Sequence, residues 1–167
     1  MTVITDPGLL ARVDALQQAY AHALDRRDMQ GWLACFASTG RYELTSAENV
    51  RMGLPVGMML DDCHERLRDR VKYVNEVWNA VVEHYQPRHL LSRDLCAWSD
   101  DGSLAASTNF SVFYTNAEGK SALLAVGHYE DLIVDEEGAL RFQAKRAIMD
   151  TAVPPRYIIY QIGRAHV

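Results

Sequence analysis

A chain of 167 residues, 49% hydrophobic and 23% charged, is long enough for one domain with its own core and has an ordinary globular composition. Its net charge of -5 argues against a nucleic-acid binder, which needs a basic patch or stripe. No apolar run approaches the roughly 18 residues that span a bilayer, and MTVITDPGLL lacks the regions of a secretory signal, so no membrane association and a cytoplasmic location are expected.

The first half has helical periodicity. Asp6-Pro7 is a start signal, with Asp as N-cap and Pro at the first helical position. Leu9, Val13, Leu16, Tyr20 and Leu24 then recur at steps of three and four, which makes one apolar stripe. Asp28 can cap a second, short helix in which Trp32 and Phe36 share a face. RYELT (41–45) alternates as a short strand would, with Tyr42 and Leu44 on one side, and SAENVRMGLPVG (46–57) reads as a loop. Asp62 and Glu65 have the spacing of a capping box. The helix they would open carries Cys63, Leu67, Val71, Val74 and Trp78 inward and many charges elsewhere.

From about Arg88 the period changes. Four long runs, HLLSRDLCAW, LAASTNFSVFYT, ALLAVGHYEDLIV and LRFQAKRAIMD, are separated by the glycine turns SDDGS, NAEGK and DEEGA. Short turns of this kind join antiparallel neighbours. Pro154-Pro155 ends the last run, and YIIYQI (157–162) predicts a short tail strand. Helices followed by antiparallel strands give an α+β fold. Strands this long, with about three helices to cover one face, predict a curved sheet wrapped around the helices as a cone. Gly127 is the candidate bend. No repeat, linker or low-complexity segment divides residues 1–167, so one domain is expected.

The residues that could carry chemistry are few. Cys35, Cys63 and Cys96 form no C-x-x-C pair, which excludes zinc-ribbon, Rieske-type and disulfide-scaffold readings. HYQPRH (84–89) sets two histidines five residues apart, as some iron sites begin, with Asp94 as a conceivable carboxylate. Pro87 breaks any helix between them, and strand alternation sends His89, Leu91 and Arg93 one way and Asp94 the other. No metal site is therefore expected in this chain. There is no G-x-S-x-G elbow and no phosphate-binding glycine loop. A cone enzyme would need a polar pair inside the cone for proton transfer, with Asp25, Tyr42 and His128 as candidates. Bulky residues directed inward, Trp32, Phe36, Leu67, Phe110 and Phe113, would instead fill the cone. Arg66 and Arg70, one turn apart and near Tyr73, have the composition of a protein contact.

Taken together, Tyr20-x4-Asp25, Trp32-x3-Phe36, Tyr42, Asn49, Gly53-Leu54-Pro55, Asp69-Arg70-Val71 and Arg88-His89 resemble the small (beta) subunit of bacterial aromatic-ring-hydroxylating dioxygenases. Phe110, Gly127-x-Tyr129-x-Asp131, Arg146 and Asp150 continue the resemblance, which covers roughly residues 10–162. The stretch 48–76 most resembles small subunits of hydroxylases of benzoate-like acids, salicylate 5-hydroxylase first and terephthalate dioxygenase next. Residues 163–167 match nothing in the pattern.

The resemblance implies a cone-shaped fold like that of ketosteroid isomerase and scytalone dehydratase. It also implies a non-catalytic chain that forms a trimer within an alpha3-beta3 hexamer. The large (alpha) subunit would hold the Rieske 2Fe-2S cluster and the mononuclear Fe(II), and this chain would hold no cofactor. The expected subunit contact comprises Asp61, Asp62, Arg66, Arg70, Tyr73, Arg88 and His89. The alternative is a stand-alone cone dehydratase, isomerase or cyclase, or a small protein that binds an aromatic ligand.

Overall fold

The structure, a computed structural model, describes residues 2–78 and 84–153, with Trp78 described by its backbone alone. The proline stop at 154–155, the tail strand 157–162, the end segment 163–167 and the inward face of Trp78 lie outside the described residues.

Helix α1 (Pro7–Arg26) starts as its sequence dictates: the Asp6 carboxylate accepts from the Leu9 amide at 2.9 Å, and Pro7 occupies the first turn. Val13, Leu16, Tyr20 and Leu24 are buried, and Leu9 packs at the margin. Arg27, in the left-handed region at φ 60°, ends the helix. Asp28 caps the short α2 (Met29–Leu33) by accepting from Gly31 N at 2.8 Å. Phe36 does not extend this helix. It opens strand β2 (Phe36–Ser46), longer than RYELT alone, and still meets Trp32 with ring centres 4.8 Å apart.

The expected loop 46–57 contains a helix, α3 (Ala47–Arg51), because the Ser46 hydroxyl caps it by accepting from Asn49 N. The short β3 (Met59–Asp61) follows. Helix α4 (His64–Tyr73) begins after Cys63, whose side chain makes no cap bond, so Asp62 and Glu65 form no capping box. Asp62 is drawn away to Arg66, 3.3 Å distant. A π-helical turn (Val74–Trp78) extends α4.

Strands β4 (Gln86–Trp98), β5 (Leu104–Thr115), β6 (Ser121–Glu136) and β7 (Ala139–Met149) form the antiparallel meander that alternation and turns predict. Gly102, Gly119 and Gly138 hold positive φ in the three turns. With β1 (Thr2–Val3) the sheet has, among the described residues, seven strands in the order β1-β4-β5-β6-β7-β2-β3, and of these only β2 and β7 pair in parallel. One extra residue interrupts the register at Asp94 in β4, Leu124 in β6 and Gln143 in β7. Such bulges strengthen twist and bend a strand, and here they curl the sheet around α1, α2 and α4. Gly127 marks no register shift. Its missing Cβ leaves room for the Ile148 carbonyl and the Phe110 ring edge. No helix among the described residues is long and apolar enough to cross a membrane.

Candidate functional site

Strand alternation gives the sheet two unlike faces. The inner face carries Tyr42, Leu44, Phe110, Tyr129, Ile133, Phe142 and Ala147, all buried. Tyr20 from α1 enters among them, with ring centres 5.7 Å from Tyr129 and 5.8 Å from Phe142, both edge to face. Phe110 stacks on Tyr129 at 4.5 Å. Of the bulky residues expected inside, Trp32, Phe36, Leu67 and Phe110 are buried, whereas Phe113 faces outward and is 40% exposed. Burial raises the Tyr20 phenol well above its usual range and pushes Tyr42 up to about 12.

A buried ion pair lies among these rings. Lys145 Nζ donates to Asp131 Oδ2 at 3.0 Å and to Gln17 Oε1 at 3.0 Å, and both charged side chains are fully enclosed. Gln17 Nε2 donates in turn to Asp131 Oδ2 at 2.5 Å. Burial raises the carboxyl of Asp131 and lowers the ammonium of Lys145, and their mutual attraction opposes both shifts. Sequence reasoning missed Lys145 and Gln17, although a signal existed. Lys145, Ala147 and Met149 share one strand phase, as do Tyr129, Asp131 and Ile133, so opposite charges sat at inward positions of neighbouring runs.

The three residues expected to form a proton-transfer site do not converge. Tyr42 is inside the cone, but His128 stands on the outer face, 3.9 Å from Glu130. Asp25, near the end of α1, meets a different histidine. His89 Nδ1 donates to Asp25 Oδ1 at 2.6 Å, His89 N lies 3.2 Å from Asp25 Oδ2, and the imidazole is 1% exposed. Gln86 Nε2 adds a bond to Asp25 O at 2.8 Å. His84 is engaged separately, with the Arg27 guanidinium 2.6 Å from its Nδ1. The two imidazoles of HYQPRH thus serve two different partners. Among the described residues, no three His, Cys, Asp or Glu side chains gather as metal ligands would.

The expected contact residues divide by environment. Asp61 is buried and paired with Arg70, which fastens α4 to β3. Arg66 and Asp62 are exposed as a pair, Tyr73 is exposed, and Arg88 lies on the outer face of β4 opposite Phe113. A groove of about 670 Å³ runs across the outer face, lined by Arg41, Glu43, Leu60, Asp62, Leu95 and Arg146 among others. Arg146 stands between Glu43 at 3.2 Å and Glu130 at 3.6 Å.

The described residues form a helix-lined cone whose interior holds packed rings and a buried ion pair. The model of the family described as ring hydroxylating beta subunit matches residues 19–156, and the chain belongs to that family. It is a small subunit of an aromatic-ring-hydroxylating oxygenase, an oxidoreductase. The anthranilate 1,2-dioxygenase small subunit of Burkholderia cepacia is 32% identical over 137 residues, covering 82% of this chain and 84% of the relative. Subunit beta 1 of the terminal oxygenase component of terephthalate 1,2-dioxygenase, from Comamonas sp, is 29% identical and covers 85% and 91%. Among solved structures, a chain described as the beta subunit of an aromatic-ring-hydroxylating dioxygenase from Novosphingobium aromaticivorans DSM 12444 superposes with a TM-score of 0.76 at 26% identity, covering 87% and 93%. A scytalone dehydratase-like chain from the same organism shares the fold, with a TM-score of 0.63 at 13% identity, covering 94% and 95%.

Proposed function

We propose that the chain acts as one cone-shaped unit that stabilises and assembles the large subunit of an oxygenase acting on a benzoate-like aromatic acid, in the cytoplasm. The interior carries this reading: rings and the Lys145–Asp131 pair occupy the space in which a stand-alone cone enzyme would need its substrate. The large subunit would hold the Rieske cluster and the mononuclear Fe(II) and perform the oxygen chemistry. Three copies of each chain would form the assembly, with a subunit interface of more than about 2,000 Å². Relatives named for anthranilate and terephthalate support an aromatic carboxylate as substrate class.

In this reading Asp62, Arg66, Tyr73 and Arg88 touch the partner. Asp61, Arg70 and His89 hold the contacting elements in place, since their ion-paired side chains are largely enclosed, whereas the Asp62–Arg66 pair is exposed. A tagged chain should bring down a larger, iron-carrying chain in equal amount from native cells. Arg66→Glu, which reverses a contact charge beside Asp62, should reduce that recovery about tenfold or more while leaving the circular dichroism spectrum unchanged. Recovery of the tagged chain alone would overturn the accessory role, and full recovery with Arg66→Glu would remove α4 from the interface.

A further inference from the structure

Lys145 is held as a protein holds an amine ligand. An alkylammonium has three donors on one charged nitrogen, and a site for it needs acceptors, an anion and ring faces. Lys145 Nζ has Gln17 Oε1 at 3.0 Å and both carboxylate oxygens of Asp131 at 3.0 and 3.2 Å. Three ring centres surround it: Tyr129 at 3.8 Å, Phe142 at 4.1 Å and Tyr20 at 4.5 Å. The Gln17 amide also donates to Asp131 Oδ2, so the two acceptors are bonded to each other as well as to the lysine. These groups come from α1, β6 and β7, and Lys145 enters from β7 directly opposite Asp131 in the register. Apolar groups of similar volume often serve stability as well as a buried ion pair does, so the pair is weak evidence of a stabilising role.

We propose that the centre of the cone is an alkylammonium-binding site that the chain fills with its own Lys145 side chain. The wild-type cone therefore takes up no small amine, and its site opens only when the tether is removed. Lys145→Ala removes three carbons and the nitrogen, the atoms of n-propylammonium. The inference goes beyond the subunit role and stands whether or not a large chain is bound.

The test is chemical rescue. Lys145→Ala is refolded from denaturant in n-propylammonium chloride, in sodium chloride at equal ionic strength, and in 1-propanol. The expected result is a refolded yield and a melting temperature that rise with the logarithm of amine concentration, with no rise in the salt or the alcohol. Wild type should show no amine-dependent rise. Lys145→Met should show none either, because its side chain still fills the space without a charge. Adding Asp131→Asn to Lys145→Ala should raise the amine concentration needed at least about tenfold, since a charged hydrogen-bond partner is lost. If Lys145→Ala does not fold alone, the refolded yield in amine remains the readout. Equal responses to amine and alcohol, equal responses of Lys145→Ala and Lys145→Met, or no response in Lys145→Ala would overturn the proposal.

Discussion

Tyr42 shows how a buried acid helps limit the alkaline range of the fold. Its phenol is inside the cone and pushed up to about 12 from 10.0, with burial as the main cause. A group whose folded pKa exceeds its unfolded value contributes stability that is complete below the unfolded pKa and is lost as pH rises through the folded one. Tyr42 is therefore neutral inside the fold up to the window from 10.0 to about 12, across which roughly 2–3 kcal/mol disappears. Cys35, raised from 9.0 to about 11 by burial, begins the loss earlier. Tyr42→Phe should flatten the decline in urea-melt stability above pH 10 while costing about 1 kcal/mol at pH 7 for the lost hydroxyl bond. An unchanged alkaline slope would assign the loss to Cys35 and Tyr20. At this scale the caps Asp6 and Asp28 were legible because each acts three residues along the chain. The Asp25–His89 bond was not, because its partners stand 64 positions apart and only the packing of α1 against β4 brings them together.

Elements were legible where their period was uninterrupted. The four long strands and their glycine turns follow from alternation and left-handed turn positions, both local properties. Helix α3 was hidden because its five residues sit in a stretch rich in glycine and polar residues, where only the Ser46 cap marks a start. The parallel pairing of β2 with β7 leaves no local trace at all. Gly127, the candidate bend, instead permits a close approach of strands and side chains. A Cβ there would run into the Ile148 backbone carbonyl, and Phe110 Cζ would stand 2.8 Å away. The carbonyl cannot yield without breaking the β6–β7 ladder, so Gly127→Ala should cost about 1–3 kcal/mol as overpacking does. Chemical denaturation would show it, and a neutral result would mean the ladder can spread at that point.

At the scale of the molecule, charged side chains fasten α1 to the sheet at both ends. Arg12 meets Asp135 at 2.9 Å, Arg93 meets Asp14 at 2.7 Å, and Asp25 meets the enclosed His89. Exposed pairs such as Arg12–Asp135 contribute little, whereas removing one partner of an enclosed bond leaves the other unsatisfied. Asp25→Ala should therefore destabilise the chain by about 1–3 kcal/mol, measured by thermal melting, and Arg12→Ala by less than about 1 kcal/mol. Equal losses would mean that the His89 end is as wet as the Arg12 end. The cone and its family were legible because order and spacing of scattered residues survive across most of the chain. The filled centre was not, since one lysine in a strand pattern carries no sign of what surrounds it.

The parallel pairing of β2 and β7 also dictates an order of events during synthesis. Phe36 must wait for Phe142, and Tyr42 for Lys145, before the β7-facing edge of β2 has its neighbour. On the ribosome the helical half therefore emerges with one long strand unpaired along an edge, and only the last hairpin closes the sheet. Contacts this distant along the chain make folding slow and leave the nascent chain open to association. A partner or chaperone that covers the β2 edge during that interval would govern yield without altering the finished molecule.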